Sequence, residues 1–366
     1  MNKVGFVLLA WILAGAGLAG APAAPGVALR GCLAQEGPLD AAATAGLPAI
    51  RRLVKVLAED GAYRCAMEVE GFALRDVLDR IGVQKKVDDG FDRPLDVFVT
   101  VTGHTGQRAL LSYSEIFLAG DGGPLLVQRA RLILPHKHDP LEPGGPDPTV
   151  LLDLEARSGL DLASCAACHA GGKLPALSLP KGWMLVVPQD GFRPRFVEEV
   201  AEIAVRQVGT PVKPDKAAAH TGFVGEPALV RPDGTRQPLT RKAFARSRRT
   251  AWKDATFGMG MGYHGIRTWE GADLGALLRP LLPRGADPRL AWVVVTALDG
   301  YRVLYSGAEV FTAPEGRGVM LADRINGAPL GTGSGRYHAV PRADFFVDRD
   351  VFLVKEIRIG LAQGAF

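Results

Sequence analysis

Self-similarity at long period constrains the fold of this 366-residue chain more than any other feature. Pro38-Leu39-Asp40 recurs as Pro238-Leu239-Thr240, 200 residues on. Glu70-Gly71-x-x-Leu74-x-x-Val77-Leu78 recurs at the same offset as Glu270-Gly271-x-x-Leu274-x-x-Leu277-Leu278. Thr102-x-x-x-Gly106-x-Arg108-x-x-x-Ser112-x-x-Glu115-Ile116-Phe117 returns 194 residues later as Thr296-x-x-x-Gly300-x-Arg302-x-x-x-Ser306-x-x-Glu309-Val310-Phe311. Leu125-Leu126-Val127 matches Val319-Met320-Leu321 at that offset, Pro188 matches Pro341 at 153, and Glu202-Ile203-Ala204-Val205 matches Glu356-Ile357-Arg358-Ile359 at 154. This pattern predicts two tandem copies of one domain, 37–205 and 237–360, joined by a linker over 206–236 that holds Pro211, Pro214, Pro227 and Pro232. The fall in offset from 194 to 153 assigns 194 − 153 = 41 extra residues to the first copy, between Val127 and Pro188. An insertion at about 130–180 in one copy only marks a functional or surface-decorating loop.

Each copy reads as α+β, mixed sheet and helix. An apolar helix (Leu74–Ile81; Leu274–Leu282) precedes a strand run (Val97–Thr102; Trp292–Thr296), a glycine turn, a short helix around Glu115 or Glu309, and a closing strand (Val200–Val205; Val351–Ile359). The 45 glycines and 26 prolines call for many turns. Hydrophobic residues at 47% and charged residues at 22% exclude a mostly disordered chain and a multi-span membrane protein. The net charge of +4 comes without a dense Lys/Arg stripe. Its densest run, Arg241-Lys242 with Arg246, Arg248 and Arg249, reads as a solvated helix face, which argues against nucleic acid as a partner.

The repeat unit resembles the molybdopterin-binding domain of the sulfite oxidase fold. The residues that carry this are Glu270-Gly271-Ala272-Asp273-Leu274-Gly275-Ala276-Leu277-Leu278, Val293-Val294-Val295-Thr296-x-x-x-Gly300-Tyr301-Arg302, Leu321-Ala322-Asp323-Arg324-Ile325-Asn326-Gly327-Ala328-Pro329-Leu330 and Val354-Lys355-Glu356-Ile357. The resemblance implies that fold for both copies. It also implies a molybdenum-bound cysteine thiolate upstream of the Glu-Gly segment. The second copy has no cysteine there, since Phe257-Gly258-Met259-Gly260-Met261 fills the stretch, and Cys65 stands only five residues before Glu70. The resemblance therefore carries fold and not molybdenum chemistry, and molybdopterin is not expected as a cofactor.

Residues 1–23 read as a secretory signal: Lys3, an apolar run over Val4–Leu18, and small-residue cleavage sites at Ala19-Gly20-Ala21 or Ala21-Pro22-Ala23. A single Lys without an Arg pair fits a Sec route to the periplasm, with no membrane span left after cleavage. In that oxidising compartment Cys32 and Cys65 form a plausible disulfide, with two buried free thiols as the alternative.

The other two cysteines sit in the insertion as Cys165-Ala166-Ala167-Cys168-His169, the attachment pattern for c-type haem. Two thiols at this spacing form thioethers to the two vinyl groups of one haem. The adjacent imidazole of His169 becomes the proximal iron ligand. The distal candidates are His136 and His138 in Pro135-His136-Lys137-His138, and Met184 downstream, with a five-coordinate iron as a further option. The same thiols with His136 and His138 also make a Cys2His2 set for zinc, and a redox dithiol is a third reading. The expectation is a periplasmic mono-haem cytochrome that passes single electrons to redox partner proteins. A molybdenum oxidoreductase with attached haem and a zinc-stapled binding protein are its rivals.

Overall fold

The computed structural model describes residues 26–39, 41–57, 63–118, 123–133, 182–190, 195–222, 225–258, 262–314, 318–342 and 344–362. The fold mixes helix and strand and is mostly sheet. The first half carries β1 (Ala28–Gly31), β2 (Gly37–Pro38), β3 (Ile50–Leu57), β4 (Tyr63–Ala73), β5 (Val97–Gly103), β6 (Arg108–Ser112), β7 (Leu125–Ile133), β8 (Met184–Val186), β9 (Phe196–Val197) and β10 (Val200–Gln207). The second carries β11 (Ala228–Val230), β12 (Arg236–Pro238), β13 (Arg249–Gly258), β14 (Gly262–Asp273), β15 (Ala291–Ala297), β16 (Arg302–Ser306), β17 (Val319–Ile325), β18 (Ala328–Pro329), β19 (His338–Pro341) and β20 (Val354–Leu361).

Strand order in the second half repeats that in the first. One sheet runs β2-β1-β10-β5-β6 and its counterpart β12-β11-β20-β15-β16. In each, the first strand lies parallel to the last: Ala28 faces Glu202 and Ala228 faces Glu356. The other two sheets run β3-β4-β7-β8-β9 and β13-β14-β17-β18, with β19 also paired to β17. Val97, Val99 and Val101 of β5 point into one apolar core with Leu74, Leu78 and Ile203. Val293, Val295 and Ala297 of β15 do the same with Leu274, Leu278 and Ile357.

The recurring motifs have local physical causes. Ser112 and Ser306 are N-caps, and Glu115 and Glu309 answer them three residues on, so each Ser-x-x-Glu is a capping box that starts a five-residue helix. Gly106 and Gly300 sit at φ of +85° and +91° in the β5–β6 and β15–β16 turns. Gly71 and Gly271 lie at bulges where β4 meets β7 and β14 meets β17. A Cβ at Gly71 would come within 2.3 Å of the Leu126 carbonyl oxygen, and one at Gly271 within 2.2 Å of that of Leu321.

The structure extends the boundaries read from the sequence. Residues 206–236, expected as a linker, hold the end of β10, a helix at Lys216–Thr221, β11 and the start of β12. Likewise β1 precedes residue 37 and is an integral strand of its sheet. These short strands carry no periodic signal of their own, because they are set by pairing to β10 and β20.

Gly271→Ala is expected to lower the free energy of unfolding by about 1–3 kcal/mol, because the added methyl meets backbone that cannot yield. At Gly331 an added Cβ meets nothing within 4 Å, so Gly331→Ala should change stability by less than about 0.5 kcal/mol. Urea denaturation of the two variants checks the contrast.

Candidate functional site

The two halves meet through residues that occupy equivalent positions. Phe98 of β5 stacks on Trp292 of β15 at 6.5 Å and 26°, and Leu110 and Leu304 join them in one buried cluster. Both pairs are separated by the 194 residues that relate the sequence motifs. Beyond this contact lie the two capped helices, Tyr113–Phe117 and Gly307–Phe311. The Ser112 hydroxyl donates to Glu309 Oε2 at 2.8 Å, so one half's cap binds the other half's carboxylate.

Two buried arginines complete the junction. Arg195, 3% exposed, donates through Nε to Asp190 at 2.7 Å, through Nη1 to Glu115 at 2.9 Å, and to the Leu110 carbonyl at 2.8 Å. Its Nη1 also reaches Ser306 Oγ of the other half at 3.3 Å. Arg349, 2% exposed, takes the equivalent role against Glu309 at 2.5 Å and against Asp344. Its own carbonyl accepts from the Tyr305 hydroxyl at 2.5 Å. Burial alone would push these guanidinium groups toward losing their protons, but the flanking carboxylates hold both well above the ordinary arginine range.

Two guanidinium groups face four carboxylates here, so the negative charge is in excess. Burial and the nearby Glu309 and Asp190 carboxylates raise Glu115 to about 7, against the pull of Arg195. Glu309 goes the other way: Arg349, the Ser306 backbone N–H and the Ser112 hydroxyl overcome its burial and lower it. Burial, with help from Glu309 and Asp254, raises Asp344. Glu115 is therefore the carboxyl of this junction that takes up a proton near neutrality.

A second cluster lies in the second half. His338 Nε2 is 3.6 Å from Asp350 Oδ2, with Trp269 edge-on to the imidazole at 4.8 Å. Burial, and secondarily Arg267, lowers His338 to about 3, so it stays neutral. Burial together with Asp344 and Asp254 raises Asp350 well above the ordinary range. Asp350 also borders a cavity of about 320 Å³ with Arg93, His264, Asp299 and Tyr301.

Among the residues expected from the sequence to carry chemistry, Cys165, Cys168, His169, His136 and His138 lie outside the described residues. Met184 opens β8, fully buried, opposite Val127 of β7. Cys32 is a buried thiol, and the side chain of Cys65, its expected partner, lies outside the described residues. The Cys65 backbone stands opposite Val56 on the β3–β4 hairpin, in a different sheet from the strand that ends just before Cys32. Among the described residues no group of three His, Cys, Asp or Glu side chains is placed to hold a metal. Sequence reasoning passed over Arg195 and Arg349. Their signal was present: Asp190-x-x-x-x-Arg195 recurs as Asp344-x-x-x-x-Arg349 at the same 154-residue offset as the closing strand.

Fold and site thus define a mostly-sheet protein of mixed helix and strand, joined at its middle by a buried ionic junction. No family model and no curated protein matches the chain. Among solved structures, the sulfane dehydrogenase SoxCD from Paracoccus pantotrophus aligns with 52% of this chain and 50% of that chain, at 14% identity and a TM-score of 0.29. The alignment thus spans half the length of that chain.

Two outcomes are expected at the junction. Arg349→Met strands Glu309 and Asp344 as buried charges and should cost about 3–5 kcal/mol in chemical denaturation. Between 4.5 and about 7 the folded state binds a proton at Glu115 that the unfolded chain has released. That contribution to stability is full below 4.5 and is lost as the pH rises through 7. Glu115→Gln should flatten this slope in unfolding midpoints measured at pH 5 and pH 8.

Proposed function

We propose that this chain is a periplasmic mono-haem c-type cytochrome that transfers single electrons, built on two copies of a sulfite-oxidase-like domain. The observation that carries the reading is Cys165-Ala166-Ala167-Cys168-His169. Its donor set suits haem: two thiols for covalent attachment and one imidazole beside them. When bound, haem supplies a one-electron redox centre. Cys165 and Cys168 anchor it, and His169 ligates the iron from the proximal side. His136 or His138 is the distal ligand, because both stand in a polar stretch at the start of the insertion. Met184 is the weaker candidate, since its side chain is enclosed in the sheet.

The insertion that bears the motif leaves from β7 and returns into β8, strands joined by the Val127–Met184 pair. Both strands that flank the motif therefore belong to one sheet. The apolar N-terminal run provides export by a Sec-type signal, and no helix among the described residues is long and apolar enough to cross a membrane. Redox proteins of the periplasm are the partners this role calls for. Molybdopterin has no place in it, because neither copy offers a cysteine at the position of the family's thiolate.

Export in a host that matures c-type haem should yield a protein with a reduced c-type α-band and one haem that survives denaturation in the intact mass. Cys165→Ser with Cys168→Ser should abolish both signals. A chain with no Soret band and an apo mass would overturn the cytochrome, and one equivalent of zinc in that sample would establish the stapled-loop reading instead.

A further inference from the structure

Arg302 and Arg108 occupy the same place in their sheets. Arg302 faces Thr296 across β15–β16, and Arg108 faces Thr102 across β5–β6. Their surroundings differ. Arg302 is 2% exposed and fully engaged: Nε donates to Asp96 at 2.8 Å, Nη2 donates to Asp89, and the guanidinium lies over the Phe91 ring at 4.5 Å. These three partners come from the first half, on the connection between the helix Leu74–Ile81 and β5. The chain thus fills the cleft beside Arg302 with its own carboxylates and ring.

The second half lacks that filling. Its equivalent connection is six residues shorter, since the repeat offset falls from 200 to 194 across it (200 − 194 = 6). Leu290 stands where Asp96 stands, on a turn that packs beside β6 as Asp96's turn packs beside β16. A leucine cannot pair with a guanidinium. Arg108 is exposed and makes no ion pair among the described residues. It borders a cavity of about 1120 Å³ that also receives Leu290, Trp292, Thr100 and Arg206. Two further cations there, Lys86 and Arg358, are held by Glu36 and Glu356, and the cavity's Glu202 is paired with Arg30.

We propose that the cleft at Arg108 binds a small organic carboxylate carrying an aromatic ring. The carboxylate meets the Arg108 guanidinium as Asp96 and Asp89 meet Arg302. The ring lies on the guanidinium plane as Phe91 does. Arg206 lines the same cavity four residues along its strand from Glu202, which faces Thr102, the partner of Arg108. A guanidinium fork pairs with a carboxylate in two parallel hydrogen bonds, and its flat face takes an aromatic ring, so one side chain reads both features. A cavity of this size suits an organic ligand rather than a lone anion. The site does not depend on haem, so it stands or falls separately from the proposed electron transfer.

Calorimetric titration of the full chain with phenylacetate tests it, with Arg108→Gln as the variant. Arg108 is exposed, so the substitution leaves the fold intact, and an unchanged urea midpoint verifies this. The expected result is saturable binding weakened about tenfold or more in Arg108→Gln, with no saturable binding of benzyl alcohol. Absence of saturable phenylacetate binding, equal affinity in Arg108→Gln, or equal binding of benzyl alcohol would overturn the proposal.

Discussion

Two buried arginines, Arg195 and Arg349, organise the middle of the molecule. Each is locked to a carboxylate on its own local segment, Asp190 or Asp344, and to the carboxylate of a helix capping box, Glu115 or Glu309. Removing such groups from water is costly, and only nearly complete pairing offsets it. That pairing crosses between the halves: Ser112 serves Glu309, and Arg195 reaches Ser306. Each arginine finds its carboxylates within its own half, and the serine hydroxyls tie the two networks together. The apolar contact of Phe98 with Trp292 shares its cluster with Leu110, whose carbonyl accepts from Arg195.

The repeated framework frees individual positions to diverge. Glu115 and Glu309 share a role in local structure, yet one is raised to about 7 and the other lowered, because their hydrogen-bond partners differ. Arg108 and Arg302 share a register position, yet one is open and the other enclosed. Between β17 and β19 the second half has the small β18 hairpin and a 3-10 turn at Thr332–Ser334, where the first half's sequence runs through residues 134–181. The features that distinguish the first half, the Cys165-x-x-Cys168-His169 motif and the open cleft, both arise where the halves depart from one another.

Part of this was legible in the sequence for definite reasons. Ser-x-x-Glu, Glu-Gly and the Gly106 and Gly300 turns report local geometry, and local geometry recurs wherever the motif recurs. The helices at Leu74 and Leu274 and the strands β5 and β15 followed from apolar runs. Two short strands were less visible: β11 lay within the expected linker, and β1 before the expected domain start, because their register is dictated by β20 and β10, far along the chain. Arg195 escaped notice because only its spacing to Asp190 recurs along the chain, while its other carboxylate, Glu115, lies 80 residues away. The pairing of Cys32 with Cys65 was inferred by counting thiols, and counting carries no distance.

The sequence by itself determined the period of the repeat, the place of the insertion and the thiol–thiol–imidazole motif within it, since these are statements about order along a chain. It also determined the caps and tight turns, which depend on neighbours a few residues apart. Only the tertiary structure decided which charges are buried, which carboxyl keeps its proton near neutrality, and which of two equivalent arginines is exposed. Those properties depend on solvent exclusion and on partners brought together from distant segments, and linear spacing contains neither.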